Sequence, residues 1–256
     1  MHQIARWLSL ATIVASPVFA DIILVSPTEI SGSGLGAVNT VLTLQSPANN
    51  TVETGCVGVS GGAAVTTNCG FSNFTVQNQS GAPTLAALGI TSGSDIRIVF
   101  NAAEPGGALD IQLNALVLTL YNADGSVSQT HSLQTPLYFP TTNSGTGNSG
   151  FLFRLTDLEA AAAQGFITAN GGLGSVRVGL GTSVGCGTAN NTTTACIGAG
   201  GGGAATGGLE TFFVESAASV PGGGGAGDAV PEPESALLTA MGGIALIAVS
   251  KLRRRR

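Results

Sequence analysis

Most of the chain consists of short apolar stretches, rich in β-branched and aromatic residues, that are separated by clusters of Gly, Asn, Ser and Pro. Several stretches alternate apolar with polar residues, which is the period of a half-buried strand. The turn-forming clusters between them favour short connections. We therefore predict strands at 22–25, 37–44, 73–77, 95–100, 109–121, 126–133, 151–155, 175–180 and 210–215.

The clearest hairpin signal lies within residues 109–133. Two alternating stretches are joined by Asn122-Ala123-Asp124-Gly125, and an Asp-Gly pair readily adopts the positive φ angles of a tight turn. The pattern predicts an antiparallel pair of strands.

One helix is predicted after residue 155. Thr156 and Glu159 have the spacing of a capping box, in which each side chain accepts a hydrogen bond from the other residue's amide. Ala160–Gln164 would continue the helix and Gly165 would end it. Together with the strands, this predicts an all-β body over 21–220, an antiparallel, jelly-roll-like β-sandwich with one short helix.

The first twenty residues have the layout of a secretory signal peptide. A short basic stretch is followed by an apolar run that ends in Val18-Phe19-Ala20. We expect signal peptidase to cleave between Ala20 and Asp21, so that the mature chain begins at Asp21.

The other terminus combines three signals in a fixed order. Pro231-Glu232-Pro233 is followed by an apolar segment, 235–252, and then by Arg253, Arg254, Arg255 and Arg256. Eighteen helical residues reach about 27 Å, which is close to the thickness of a hydrocarbon core. The terminal arginines would hold the end on the cytoplasmic side. The segment 221–229 reads as a Gly-rich tether.

The tail 230–256 resembles the PEP-CTERM sorting signal of Gram-negative bacteria, while the body resembles no family that we recognise. The resemblance implies that an exosortase-like membrane protease reads Pro231, Glu232 and Pro233 and cleaves nearby. It also implies transient membrane anchoring and a final location at the cell surface or in an extracellular matrix, with a structural or adhesive role linked to exopolysaccharide and biofilm.

Charge excludes some functions for the body. Residues 21–230 hold three arginines, no lysine and twelve acids, a net charge of 3 − 12 = −9. This balance argues against binding of nucleic acid or anionic lipid through net charge.

The four cysteines, Cys56, Cys69, Cys186 and Cys196, all lie in the predicted exported part. An oxidising compartment favours disulfides. The local pairs Cys56–Cys69 and Cys186–Cys196 need the least loop closure, and neither has the tight spacing of a zinc site.

Candidate chemistry in the body is sparse. His131 is its single histidine, and no Gly-x-Ser-x-Gly elbow surrounds a serine. We therefore predict no catalytic centre, cofactor or metal. Two alternatives remain: an exported hydrolase that uses a carboxylate pair, and an adhesion module that binds calcium or another ligand. The oxygens of residues 122–126 are the best calcium candidates.

Overall fold

The computed structural model describes residues 21–25, 30–31, 40–45, 51–66, 76–79, 81–102, 110–140, 149–189, 192–197, 203–205 and 210–220. Every structural statement below concerns these residues.

Their secondary structure is mostly β, with one α-helix and two 3-10 turns, Ala86–Leu88 and Gly93–Asp95. The helix, α1, covers Asp157–Ala169. The strands are β1 Ile22–Leu24, β2 Ile30–Ser31, β3 Thr40–Gln45, β4 Val52–Ser60, β5 Ala63–Val65, β6 Val76–Gln79, β7 Ile96–Asn101, β8 Asp110–Tyr121, β9 Ser128–Ser132, β10 Leu137–Pro140, β11 Ser149–Leu155, β12 Arg177–Gly185, β13 Gly187–Ala189, β14 Thr192–Thr194 and β15 Glu210–Ser216.

The strands form two main antiparallel sheets. The first has the order β1-β11-β7-β15-β3-β6, with β2 also paired to β11. The second has the order β10-β8-β12-β4-β5, with β9 also paired to β8. A small hairpin joins β13 to β14. The chain alternates between the two main sheets, so neighbours within a sheet are often far apart in sequence.

Side chains from both main sheets meet in one hydrophobic cluster. Its centre is a group of five phenylalanines that alternate with outward-facing residues along their strands, as period-two strands require. The Phe100 and Phe212 rings stack with their centroids 4.7 Å apart. The ring centroid of Phe139 in the second sheet lies 4.0 Å from that of Phe151 in the first. The fifth member is Phe153.

The predicted strand pattern is confirmed in outline. Each of the nine predicted stretches overlaps a strand, and the predicted hairpin is the β8–β9 pair, with Leu120 opposite Gln129. Gly125 in its turn has φ +80°, and a Cβ there would lie 2.4 Å from the Val59 carbonyl oxygen. Both the conformation and the space require glycine. The pattern missed β2, β4, β5, β10, β13 and β14.

The predicted end of the helix at Gly165 is wrong. α1 continues to Ala169, because Gly165 lies on the exposed side of the helix while Ile167 still packs in the core. The helix ends at Asn170, whose side-chain amide donates to the Phe166 carbonyl at 2.8 Å. Gly171 and Gly172 then adopt positive φ angles. Core contact outweighs the modest helix cost of an exposed glycine.

Candidate functional site

Several predicted functional residues fall outside the described part of the chain. These are the signal segment 1–20 with Ala20, the tether 221–229, the motif Pro231, Glu232 and Pro233, the predicted membrane helix 235–252, and Arg253 to Arg256. Among the described residues, no helix has the length and apolarity needed to cross a bilayer.

Asp21, the predicted first residue of the mature protein, joins three elements. Its carboxylate Oδ2 accepts hydrogen bonds from the Ser132 amide at 3.1 Å and the Ser132 hydroxyl at 3.3 Å. Its carbonyl oxygen accepts from the Thr156 amide at 3.2 Å. The next residue, Ile22, is fully buried opposite Leu155. The predicted cleavage position is therefore adjacent to an integral part of the fold.

The structure confirms only half of the predicted capping box. The Thr156 hydroxyl accepts from the Glu159 amide at 3.4 Å, as the spacing predicts. The return bond is absent, because the Thr156 amide donates to Asp21 instead. The Glu159 carboxylate turns away to His131, with 2.8 Å between Oε2 and Nδ1.

His131 is a buried residue of β9, not a surface histidine. It has no exposed surface, whereas the Glu159 side chain keeps 23% of its surface exposed. Within the described residues, His131 Nε2 and Gln129 Oε1 are both buried without a hydrogen-bond partner. They lie two residues apart on one face of β9. The Glu159 carboxylate fixes the orientation of the imidazole, which ties α1 to the second sheet.

The His131 imidazole cannot contact a substrate in the conformation seen, because it has no exposed surface. Sequence reasoning missed its contact with Glu159, since 28 residues separate the two partners and the capping pattern assigned Glu159 elsewhere. The one feature of the sequence that could have indicated this contact is a single histidine on a strand with alternating apolar and polar residues.

The disulfide Cys186–Cys196 is confirmed. Its Cα atoms lie 5.0 Å apart, and it closes the loop that holds the β13–β14 hairpin. Gln112 of β8 fastens this loop, donating to the Ala195 carbonyl at 2.8 Å and accepting from the Ile197 amide at 2.8 Å. We call this region the disulfide loop.

The second predicted pair, Cys56–Cys69, stays a prediction. Cys56 is fully buried in β4, and Cys69 lies outside the described residues. No cysteine that the structure describes is free.

The side-chain oxygens proposed as calcium ligands accept hydrogen bonds within the turn. Asp124 Oδ1 accepts from the Ser126 amide at 3.0 Å and the Ser126 hydroxyl at 2.7 Å, and Asn122 Oδ1 accepts from the Val127 amide at 3.1 Å. The bonds from Ser126 lower the pKa of Asp124. The described residues contain no group of three metal-ligating His, Cys, Asp or Glu side chains.

Charged side chains cross the outer face of the first sheet in one row. Arg97 pairs in register with Arg154 on one side and Glu215 on the other. Burial and, next, the charge of Arg154 lower the pKa of Arg97, while burial raises the pKa of Glu215. Arg154 also forms an ion pair with the fully exposed Asp157 at 3.1 Å.

Comparison with known proteins identifies no relative: no family model, no curated protein and no solved structure matches this chain.

Proposed function

We propose that this chain is an exported surface protein that is sorted through a PEP-CTERM-like tail. The observation that carries the proposal is the order of Pro231-Glu232-Pro233, the apolar segment 235–252 and the terminal arginines. A signal segment at 1–20 supplies export. An exosortase-like protease then releases the body to the cell surface or matrix, where it has a structural or adhesive role linked to exopolysaccharide.

Two features of the body support this location. The disulfide Cys186–Cys196 suits an oxidising compartment. Solubility without lysine and with few charges depends on Ser, Thr, Asn and Gln, which suits a protein embedded in a hydrated matrix.

For the body itself we propose a jelly-roll-like β-sandwich. The shared core cluster and the contacts of Phe139 with Phe100, Phe151 and Phe153 of the other sheet support face-to-face packing of the two sheets. Such a body would be a rigid surface-exposed domain with a structural or adhesive role and no catalytic loops.

Mass spectrometry of the protein from its native host, without reduction, tests the proposal. We expect an N-terminus at Asp21, a C-terminus near Pro231 to Pro233, and the pairs Cys56–Cys69 and Cys186–Cys196. Extracellular protein that still carries Met1 and Arg256 would contradict both processing steps.

Replacing Pro231, Glu232 and Pro233 by alanine sharpens the test. We expect the body's unfolding midpoint to stay the same, while an uncleaved form accumulates in the inner membrane. Normal release of this variant would show that the motif is only a linker and that the chain is an ordinary single-span protein.

A further inference from the structure

The disulfide loop is held to the second sheet by more than its sulfur–sulfur bond. Gln112 and Asn114 lie two residues apart on β8, and Gln112 Nε2 donates to Asn114 Oδ1 at 2.7 Å. Asn114 Nδ2 in turn donates to the carbonyl of Gly185, the residue before Cys186, at 2.6 Å. We call Gln112 and Asn114 the amide clamp.

The amide clamp also holds the chain around the other cysteine. Gln112 bonds the carbonyl of Ala195 and the amide of Ile197, the two residues that flank Cys196. Gln112 itself is only 1% exposed, so water competes little for these bonds. The backbone next to each sulfur is therefore held by hydrogen bonds that do not depend on the disulfide.

The two halves of the disulfide differ in their access to solvent. Cys186 has no exposed surface, whereas Cys196 is exposed. A thiolate breaks a disulfide by attacking one of its two sulfurs, and access helps to decide which sulfur is attacked. In the conformation seen, attack from solvent therefore falls on Cys196.

We propose that Cys186–Cys196 is a reversible redox site that exchanges with external thiols through Cys196, and that the amide clamp keeps the two cysteines apposed after reduction. Exposed disulfides are the ones that exchange readily. Two thiols that stay apposed close again at a high effective concentration. The inference depends on these contacts and not on the terminal segments.

The first step forms a mixed disulfide. A thiolate such as that of glutathione attacks Cys196 Sγ, a new sulfur–sulfur bond forms there, and the electron pair of the broken bond stays on Cys186 Sγ as a thiolate. In the reverse step, the Cys186 thiolate attacks Cys196 Sγ and expels the glutathione thiolate.

Reduction needs a second glutathione. Its thiolate attacks the glutathione sulfur of the mixed disulfide, which yields glutathione disulfide and leaves Cys196 as a thiolate. Both cysteine thiolates then take protons from water. Two electrons thus pass from two glutathione molecules to the protein.

The test measures exchange on the full chain in a mild detergent, at urea concentrations below the unfolding transition. After incubation in mixtures of reduced and oxidised glutathione, the protein is quenched with acid and alkylated, and peptide mapping by mass spectrometry locates each product. We expect glutathione on Cys196 and the alkylated thiol on Cys186. The exchange rate should not change with urea in this range, because exchange through the unfolded chain would rise steeply with denaturant.

Removing the amide clamp tests its part. Gln112→Ala with Asn114→Ala should lower the effective concentration of the two cysteines, read from the same glutathione mixtures, by about tenfold, the factor that corresponds to one typical hydrogen bond. Asn170→Ala is the control, because it removes a side-chain amide bond to the Phe166 carbonyl at the end of α1, outside the disulfide loop. It should leave the effective concentration unchanged.

Glutathione found mainly on Cys186, or exchange that occurs only as urea unfolds the chain, would overturn the redox site. An unchanged effective concentration in the double variant, or an equal loss in Asn170→Ala, would show that the amide clamp does not hold the thiols together. Gln112→Glu gives the same test if the double variant does not fold. It keeps the acceptor for the Ile197 amide and loses the donor to the Ala195 carbonyl, so a smaller decrease is expected, and no decrease would contradict the clamp.

Discussion

Two regions of the molecule are held together by different interactions: the aromatic centre, which is the group of five phenylalanines in the core, and the basal end, which is the end of the first sheet where β1 and β7 begin and β11 and β15 end. In the aromatic centre, Phe139 of one sheet packs against Phe100, Phe151 and Phe153 of the other. This contact is apolar packing between aromatic rings. At the basal end, Asp21 just before β1 bonds Ser132 of the second sheet, and Glu159 of α1 bonds His131 of the same sheet. The first kind of contact tolerates many apolar residues, whereas the second fails when one partner is lost.

The largest expected effect comes from the aromatic centre. Phe100→Ala removes a fully buried ring that stacks on Phe212 and touches Phe139. We expect a loss of about 3–5 kcal/mol in the free energy of unfolding, measured by urea denaturation. Leu158→Ala, at an exposed site, is the control and should change it by less than about 0.5 kcal/mol. Equal losses would mean that the core has been assigned to the wrong side chains.

A smaller effect is expected at the polar junction. Glu159→Ala leaves both nitrogens of the buried His131 without a protein partner, and should cost about 1–3 kcal/mol. Glu159→Gln should cost less, because its amide oxygen can still accept from Nδ1. Combining each change with His131→Ala in a double-mutant cycle measures the coupling. Additive losses would show that the 2.8 Å contact contributes nothing to stability.

The outer charged row predicts a pH effect of defined sign. Burial raises the pKa of Glu215 in the folded state, so the folded protein binds more protons than the unfolded chain between the ordinary and the raised value. The stability that the folded protein gains from a protonated Glu215 is therefore fully present below the ordinary pKa. It is lost as pH rises through the raised pKa. At neutral pH, Glu215→Gln should have a higher unfolding midpoint than the unchanged protein. In acid the two midpoints should be equal. The same benefit at every pH would exclude linkage.

The smallest effect is expected for the exposed ion pair at the basal end. Asp157 has a fully exposed side chain, so its pairing with Arg154 is screened by water and salt. We expect Asp157→Asn to leave the urea unfolding midpoint almost unchanged. The change should shrink further in high salt, and urea denaturation at two salt concentrations would check this. A larger effect would mean that the basal end is held by charge and not by its buried partners.

The features that neighbouring residues determine were predictable. Alternation located nine strands, and the Asp-Gly pair located the β8–β9 turn. The short spacing of Cys186 and Cys196 gave their disulfide. β4 was missed although it is an internal strand of the second sheet, between β12 and β5, because Val52–Ser60 is interrupted by glycines and carries no clear alternation. Gly58 and Gly179 are close to Tyr121 instead, a packing relation that spacing does not reveal.

The sequence by itself determined the all-β class, the local turn and the local disulfide, and it supplied the terminal motifs on which the proposed function depends. Only the tertiary structure decided that α1 passes through Gly165, that Glu159 turns to His131, and that β1 begins where β15 ends. The physical reason is range. Propensity and pattern act over a few residues, whereas these outcomes depend on contacts between residues that are 28 to 133 positions apart, from His131 with Glu159 to Ile22 with Leu155. Such contacts exist only once the sheets have paired.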